Sequence, residues 1–404
     1  MAASSSIITG GVTTARGFRA AGVSAGIKAK AGSLDLALLV SDVPAVTAAV
    51  FTTNKAVAAP ILVCRDHLKR SAATTRAIIV NSGCANACTG DEGLQVAREM
   101  TAETARLVDC PVEQVLVAST GVIGVGLPIE KIRAALPIAL RALGADQGPA
   151  AALAIMTTDP FPKEAATTIT IGGRTVTIGG MTKGSGMIEP NMATMLGFVT
   201  TDAAVPLPLL DRALRAAVND TFNAITVDGE CSTNDSVFLL ANGASGAAVD
   251  ASSYDAFLAG LTAVCRELAL GIVRGGEGAT KLVTVTVNGA ASSDEARKAA
   301  KAIGNSPLVK TAINGGDPNW GRLIAVAGRA GVAFELSRAA VTIGDIVLFE
   351  NGRPHDESAP AAAEYLKRSE LSVSVNLGAG TASSTIWTCD LSAEYVRINA
   401  DYRT

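Results

Sequence analysis

The stretch "ATTITIGGRTVTIGGM" (residues 166–181) carries the clearest structural pattern in the chain. Thr alternates with Ile and Val on either side of Gly172-Gly173, and such alternation predicts two antiparallel strands joined by a tight turn. Strands of this kind bury one face and leave the other polar. The hairpin therefore predicts a sheet with one buried face.

The rest of the chain mixes strand-like and helix-like segments. Runs rich in Val, Ile and Thr predict strands at residues 36–42, 48–53, 59–65, 76–83, 113–120 and 281–289, and strands return between 331 and 404. Apolar residues at helical spacing predict helices at 91–108, 129–143, 207–219, 254–271 and 291–303, with a break or kink at Pro137, an end at Gly271 and a cap at Ser293. Pairs of adjacent strands favour an α+β fold, a layered αββα-type sandwich of mixed sheets with helices outside, over a doubly wound parallel sheet.

Composition limits the possible partners. The chain has 404 residues, 49% hydrophobic and 18% charged, with a net charge of −3. This balance indicates a large buried core and gives no reason to expect nucleic acid or an anionic membrane as a partner. Because the N-terminus lacks a secretory signal pattern and no long apolar run predicts a membrane span, we expect a cytoplasmic protein.

Histidines and cysteines are poorly placed for common active sites. Only His67 and His355 exist, both in charged segments that we expect to be solvated, so a Ser-His-Asp triad is not expected. Cys84 and Cys88 form the only close pair among seven scattered cysteines, which favours reduced thiols over a metal site. No glycine-containing segment has the spacing of a nucleotide-binding loop, so no cofactor is expected.

The segment "GMTKGSGMIEPNMATMLGFVTTDAAV" (residues 180–205) offers a different nucleophile. It holds four of the seven methionines and surrounds an Ala193-Thr194 step. A threonine that begins a chain can use its own α-amine, whose pKa is ordinarily about 7.7–8.0, as the base for its hydroxyl. An internal threonine reaches that state if its hydroxyl attacks the preceding carbonyl and the ester is hydrolysed, which a small preceding residue and a strained backbone favour.

Within that segment, "KGSGMIEPNMATMLGF" (183–198) resembles the self-cleavage site of the glutamate N-acetyltransferase family, also called ornithine acetyltransferases. These are enzymes of arginine biosynthesis that are cut into α and β chains. The likeness continues in order along the chain, at residues 10–28, 51–65, 78–90, 118–132, 156–165, 227–235, 275–282, 313–329 and 395–404.

The resemblance implies roles for individual residues. Thr194 would be the nucleophile, freed by cleavage after Ala193, and the Thr120 hydroxyl and Gly121 N–H would form the oxyanion hole. The residues that it assigns to the substrate pocket, besides Thr194, are Thr157, Lys183, Glu277, Asn399 and Thr404. A lysine suits a substrate carboxylate, and a glutamate suits a substrate ammonium.

The implied reaction is ping-pong: N-acetylornithine acetylates Thr194, ornithine leaves, and glutamate takes the acetyl group to give N-acetylglutamate. Acetyl-CoA as a second donor is left open, with a preference for a bifunctional enzyme. Residues 1–193 would form the α chain and 194–404 the β chain, intertwined in one main fold and assembled as an α2β2 heterotetramer. The alternatives are an N-terminal-nucleophile aminopeptidase, an N-acyl amino acid hydrolase, and a non-enzymatic binding protein that stays uncut.

Overall fold

The computed structural model describes residues 6–189 and 195–401, and the chain divides into two units. Of the described residues, the first unit includes those up to 223 and 230–272, and the second comprises 224–229 and 273–401. Both units combine helices with a sheet, which confirms the predicted α+β class. Three predicted site residues lie outside the described residues: Ala193, Thr194 and Thr404.

The described strands of the first unit form one mixed sheet. They are β1 (Ile7–Ile8), β2 (Phe18–Val23), β3 (Leu36–Phe51), β4 (Thr74–Cys84), β5 (Val115–Val122), β6 (Lys163–Ile171), β7 (Arg174–Lys183), β8 (Leu196–Thr201) and β9 (Ser236–Ala241). Their order is β1-β6-β7-β8-β9-β3-β4-β5, and β2 also pairs with β3. The pairs β4–β5 and β8–β9 are parallel, and the remaining pairs are antiparallel.

This sheet folds over on itself. Five strand spacings separate β7 from β5, which is about 24 Å in a flat sheet and far beyond the length of a lysine side chain. Yet the Nζ of Lys183, at the end of β7, lies 3.0 Å from the Oγ1 of Thr120 in β5. The long strand β3 changes register between Val40 and Ala45 in its pairing with β4, and a bulge of this kind bends a strand. The two halves of the sheet therefore face each other as layers, as predicted.

One apolar core joins the two halves of the sheet. It includes, from the two layers, Leu38, Val117, Met181, Leu196, Phe198 and Phe238. Helices cover the layers: they are α1 (Ala59–Arg70), α2 (Gly90–Val108), α3 (Ile129–Arg141), α4 (Gly148–Ala154), α5 (Leu207–Asn219) and α6 (Tyr254–Arg274), with single 3₁₀ turns at Val112–Gln114 and Phe222–Ala224. Pro137 lies inside α3 without ending it, and α6 continues past Gly271 to Arg274.

The strand predicted at residues 59–65 is wrong, because this segment begins helix α1. Pro60 occupies the first turn, where its missing N–H has no intrahelical partner to lose. Val63 and His67 are four residues apart on the buried face of the helix. His67 is consequently buried rather than solvated, and its Nδ1 lies 2.8 Å from the carbonyl oxygen of Val115.

The hairpin formed by β6 and β7 confirms the prediction for residues 166–181. Gly172 and Gly173 have φ of +56° and +74°, the left-handed pair that a two-residue hairpin turn requires. Helix α6 packs on this hairpin, since a Cβ at Gly180 would lie 2.9 Å from Leu268. By length and apolar composition α6 could cross a membrane, but 56% of its most apolar window is buried inside the protein. Such burial is typical of a core helix.

The second unit is built on a six-stranded sheet in the order β13-β12-β11-β14-β10-β15. Its strands are β10 (Leu282–Ala290), β11 (Ala340–Ile343), β12 (Ile346–Glu350), β13 (Arg353–Pro354), β14 (Glu370–Asn376) and β15 (Ala382–Cys389). Its helices are α7 (Ser293–Gly304), α8 (Pro307–Gly315), α9 (Trp320–Gly328), α10 (Ala359–Tyr365) and α11 (Ala393–Asp401), with 3₁₀ turns at Leu336–Arg338 and Asp356–Ser358. The cap of α7 is Ser292 rather than the predicted Ser293, because the Oγ of Ser292 accepts the Glu295 N–H.

Replacing Phe238 with Ala should destabilise the first unit by about 3–5 kcal/mol, because the cavity would open between three strands. Phe238 is fully buried in β9, stacks on Phe198 of β8 at 5.6 Å and meets Phe51 of β3 edge-on at 5.8 Å. Thermal unfolding measures the loss. Ile138→Ala, at a site that is 48% exposed on α3, is the control and should cost less than about 1 kcal/mol. Equal losses for the two variants would contradict this packing.

Candidate active site

The predicted oxyanion residues lie at the end of β5, where the neighbouring strand is irregular. Thr120 is 9% exposed, and its strand pairs in parallel with β4. The register shifts at Gly83 and Cys84, so that Cys84 faces both Thr120 and Val122. Bulges of this kind are common beside active sites, because they redirect a side chain or a backbone N–H.

Gly121 cannot be replaced without moving the backbone. Its φ is +127°, and a Cβ placed on it would stand 2.4 Å from the carbonyl carbon of Gly83 and 2.6 Å from the nitrogen of Cys84. Two main chains therefore touch at this point. That contact holds the Gly121 backbone in one orientation, as a preorganised hydrogen-bond donor requires.

A buried amide connects the two strand ends. The Nδ2 of Asn234 donates to the carbonyl oxygen of Ala85 at 2.6 Å and to that of Ser119 at 2.9 Å. Asn234 is 7% exposed, so these hydrogen bonds are made away from water, where an unpaired amide would be costly. It therefore positions the residue directly before Thr120.

Lys183 determines whether the Thr120 hydroxyl donates or accepts in the hydrogen bond between them. The distance from Lys183 Nζ to Thr120 Oγ1 is 3.0 Å. An ammonium group has only donors, so the hydroxyl oxygen must accept this hydrogen bond. The hydroxyl's own proton then points elsewhere and can be donated to a ligand. A positive charge on the acceptor side also makes that O–H a stronger donor.

The chain that follows the predicted nucleophile begins beside this lysine. Leu196, the first residue of β8, pairs with Lys183. Met195 is buried, and a Cβ at Gly184 would lie 3.4 Å from the Met195 Cβ. Met195, the first described residue after position 194, thus lies beside Gly184, the neighbour of Lys183.

The buried carboxylate of Asp159 fixes the main chain next to Lys183. The Oδ1 of Asp159 accepts hydrogen bonds from Lys163 Nζ at 2.6 Å and from the Gly184 N–H at 2.7 Å. Its Oδ2 accepts the Thr157 N–H at 3.0 Å. Burial would raise the pKa of Asp159, but the charges of Lys163 and Lys183, together with these hydrogen bonds, lower it below its usual value.

Thr157 is thereby brought to the same part of the first unit. Its backbone is held by Asp159, and the next residue, Thr158, shares a hydrogen bond of 2.6 Å with the Ser185 hydroxyl. Thr157 is half-buried, and among the described residues its hydroxyl has no hydrogen-bond partner. A hydroxyl in that state is available to a ligand.

The other two described residues that were predicted for the substrate pocket belong to the second unit. Glu277 is 7% exposed, and its Oε2 accepts a hydrogen bond of 2.8 Å from the Asn399 side chain. The neighbouring Gly278 has φ +68°, and a Cβ there would stand 2.5 Å from the nitrogen of Tyr395 at the start of α11. The loop that carries Glu277 is therefore tightly packed on the helix that carries Asn399.

Asp390 anchors the far end of the same loop. This carboxylate is 2% exposed and accepts the N–H groups of Thr280 and Lys281 at 2.8 and 2.9 Å, and the Asn314 side chain at 2.7 Å. The Thr280 hydroxyl also donates to it at 2.5 Å. Four donors on one carboxylate leave the loop little freedom, so the buried Glu277 charge has a fixed location.

The structure thus groups the described candidates within their units. Thr120, Gly121, Lys183 and Thr157 are linked in the first unit, and Glu277 and Asn399 form a pair in the second. Residue-by-residue reading of the sequence missed the supporting side chains Asp159, Asn234 and Asp390. Asp159 and Asn234 lie inside the stretches at 156–165 and 227–235 that carry the resemblance, which is the only signal that could have drawn attention to them.

Comparisons with known proteins identify the family of the chain. The model of a family described as ArgJ matches residues 19–404. The arginine biosynthesis bifunctional protein ArgJ of Symbiobacterium thermophilum is 49% identical over 401 residues, which are 98% of this chain and 99% of that protein. The protein of the same name from Geobacter sulfurreducens is 50% identical over 393 residues, 96% of this chain and 99% of that one.

A solved structure is also similar. The crystal structure of the arginine biosynthesis bifunctional protein ArgJ from Bacillus halodurans superposes with a TM-score of 0.50 at 45% sequence identity. It covers 52% of this chain and 100% of the matched chain.

Gly121→Ala should destabilise the protein by at least about 1 kcal/mol more than Gly124→Ala. Both glycines have positive φ, +127° and +78°, so both variants carry backbone strain. Only the Cβ at Gly121 meets another main chain, whereas a Cβ at Gly124 has nothing within 4 Å. Urea unfolding of the two variants measures the difference. Equal losses would show that the backbone contact at Gly121 does not exist.

Asp159→Asn should destabilise the protein by about 3–5 kcal/mol at neutral pH, because it leaves the Lys163 ammonium buried without its carboxylate. The lowered pKa means that the stabilisation from Asp159 is present above pH 3.8, the ordinary value for an aspartate, and is lost as the pH falls through the lower folded-state pKa. Thermal unfolding across this pH range is the measurement. Asp211→Asn removes an exposed pair with Arg215 and should cost less than about 1 kcal/mol; an equally mild effect of Asp159→Asn would refute the buried pair.

Proposed function

The chain belongs to the ArgJ family, and we propose that it transfers the acetyl group of N-acetylornithine to glutamate through an ester on Thr194. Membership of that family makes it an acetyltransferase of arginine biosynthesis. The single observation of this molecule that carries the mechanism is the Lys183–Thr120 hydrogen bond, made beside Gly121 at the end of β5. It places a cation against the hydroxyl that we assign to the oxyanion hole.

The first step of the proposal is self-cleavage between Ala193 and Thr194. The Thr194 hydroxyl attacks the Ala193 carbonyl carbon, the peptide C–N bond breaks, and the acyl group passes from nitrogen to oxygen. Water then hydrolyses the ester, which leaves Ala193 with a carboxylate and Thr194 with a free α-amine. Residues 1–193 and 194–404 become the α and β chains. Because β8 and β9 follow the cut while β7 and β3 precede it, pairing within one sheet would hold both chains together.

In the second step, the freed amine acts as the base. It takes the proton of the Thr194 hydroxyl as the oxygen attacks the acetyl carbonyl of N-acetylornithine. The carbonyl oxygen becomes an oxyanion, and the Thr120 O–H and Gly121 N–H are the donors that we assign to it. Loss of one such donor typically lowers kcat about 100- to 1000-fold. The tetrahedral intermediate then releases ornithine, whose nitrogen recovers the proton, and acetyl-Thr194 remains.

Glutamate completes the cycle by attacking the acetyl ester with its α-amine, which regenerates the Thr194 hydroxyl. The site must disfavour water as the competing nucleophile. Apolar neighbours support this: Met195 and Ile188 are buried around Gly184, next to Lys183.

Charge supports amino-acid substrates. Lys183 suits the carboxylate that both substrates carry, and Thr157 offers a hydroxyl. Glu277, buried and oriented by Asn399, suits the side-chain ammonium of ornithine. We keep Thr404 as a further pocket residue on the family resemblance alone.

Acetyl-CoA is the second donor that we propose, because the similar proteins are named bifunctional. It would acetylate Thr194 in the same way and release CoA. We further propose an α2β2 assembly and a location in the cytoplasm. A thiol reagent tests the second activity by following free CoA: repeated turnover from acetyl-CoA should require both the enzyme and glutamate.

An N-acyl amino acid hydrolase or aminopeptidase would share the first half of this chemistry and differ in what removes the acyl group. The two are separated by products: acetyl transfer requires glutamate and yields N-acetylglutamate, whereas hydrolysis yields acetate without glutamate. Dominant acetate release at saturating glutamate would replace the transferase by the hydrolase.

Thr194→Ala should give one uncut chain of 40.8 kDa with no transferase activity, because both the attacking hydroxyl and the liberated amine are lost. The wild type should give two fragments on a denaturing gel, residues 1–193 and residues 194–404. N-terminal sequencing of the second fragment should begin with Thr194. Thr194→Ser keeps a hydroxyl and should still be cut and active. A Thr194→Ala protein that is cut and active would overturn the mechanism, and an uncut wild type would favour a non-enzymatic binding protein.

A further inference from the structure

Lys28 lies at the end of a loop that a buried carboxylate holds in place. Asp35 is fully buried and accepts the N–H groups of Ala25 at 2.5 Å, Ile27 at 2.5 Å and Lys28 at 3.0 Å. Three donors on one carboxylate fix the main chain of the loop. The Cα of Lys28, from which its side chain extends, is consequently fixed as well.

The stem of Lys28 packs on the bulge that holds the oxyanion residues. A Cβ at Gly83 would stand 3.2 Å from the Lys28 Cγ and 3.3 Å from its nitrogen. The main chain of Gly83 is also the one that a Cβ at Gly121 would meet. Gly83 of β4 is therefore next to both Lys28 and Gly121. The ammonium is close enough to Asp159 and Lys183 for both charges to act on it.

The Lys28 ammonium does not use all of its hydrogen-bond donors among the described residues. It is half-buried and gives one hydrogen bond, 2.7 Å long, to the Leu34 carbonyl oxygen. Among the described residues this is its only acceptor, so two of its three N–H groups are available. The nearby carboxylates are engaged elsewhere, Asp159 by Lys163 and Asp35 by three backbone donors. Burial, foremost, lowers the pKa of Lys28, and a bound anion would compensate the partly desolvated charge.

The two substrates of the proposed reaction differ in the number of their carboxylates. N-acetylornithine has one, and glutamate has two. A single cation, Lys183, is enough for a carboxylate that both share. A second cation in the same region has a use only when glutamate is bound.

We propose that Lys28 binds the side-chain carboxylate of glutamate and so makes the acetyl-enzyme select glutamate as its acceptor. This inference rests on the proposed function. It adds a specificity residue outside the set that the family resemblance assigns, and Lys28 takes no part in bond making or breaking.

Lys28→Met tests the inference by removing the ammonium while keeping the apolar stem on Gly83. The measured quantity is the ratio of kcat/KM for glutamate to that for glutamine, which is similar in shape but has no side-chain charge. With N-acetylornithine as donor, we expect the ratio to fall about tenfold or more, as is typical when a hydrogen bond to a charged group is lost. Acetylation of the enzyme, followed as release of ornithine without glutamate, should stay within about twofold of wild type.

Two matched variants keep this test decisive. Lys30→Met removes an exposed lysine from the same loop and should leave the ratio unchanged. Lys28→Arg keeps the charge and should retain most of the preference for glutamate, even if Lys28→Met folds poorly. An unchanged ratio in Lys28→Met, or a collapse of the ratio in Lys28→Arg equal to that in Lys28→Met, would refute the role. If wild type itself fails to transfer acetyl groups to glutamate, the proposed function fails instead, so the two failures are distinguishable.

Discussion

The arrangement of the candidate site in the first unit depends on one hydrogen bond between distant strands, from Lys183 to Thr120. These residues end two strands that lie five positions apart in strand order, and they meet only because β3 bends and the sheet closes over a shared core. The apolar layers and the polar site are therefore consequences of the same folding-over. A lysine at this contact also gives the Thr120 hydroxyl a direction, because an ammonium cannot accept. The hydrogen bond between Lys183 Nζ and Thr120 Oγ1 thus depends on the packing of the layers and also sets the direction of the hydroxyl.

Buried carboxylates order loops in each of the two units. Asp35, Asp159 and Asp390 each accept several backbone or side-chain donors, and each orders a loop that carries a charged candidate residue. A preorganised site gains from such support because its groups need not reorient when charge develops on a substrate. In the proposed function a lysine suits a substrate carboxylate and a glutamate suits a substrate ammonium. The nearby apolar residues suit an ester that has to outlast contact with water.

The sequence predicted the layered α+β fold from periodicity, and its errors are local. The hairpin at 166–181 has eight alternating residues and a two-glycine turn, so only one structure satisfies it. The run at 59–65 is too short for its period to be read, and the helix becomes evident only when His67 is included. The site residues could not be predicted from such patterns. No pattern pointed to Thr120 or Glu277, and the family resemblance alone assigned them. Asn234 acts through contacts with residues far away in sequence, and Lys28 packs on the distant Gly83; no local pattern records such contacts.

The central claim is that Thr194 carries the acetyl group between the two substrates, and intact-mass spectrometry of acid-quenched enzyme tests it most directly. After mixing with N-acetylornithine alone, the fragment that begins at Thr194 should gain the mass of one acetyl group, and fragmentation should place that group on its first residue. Addition of glutamate before the quench should remove it. An acetyl group on another residue, or none on any residue while transfer proceeds, would contradict the account.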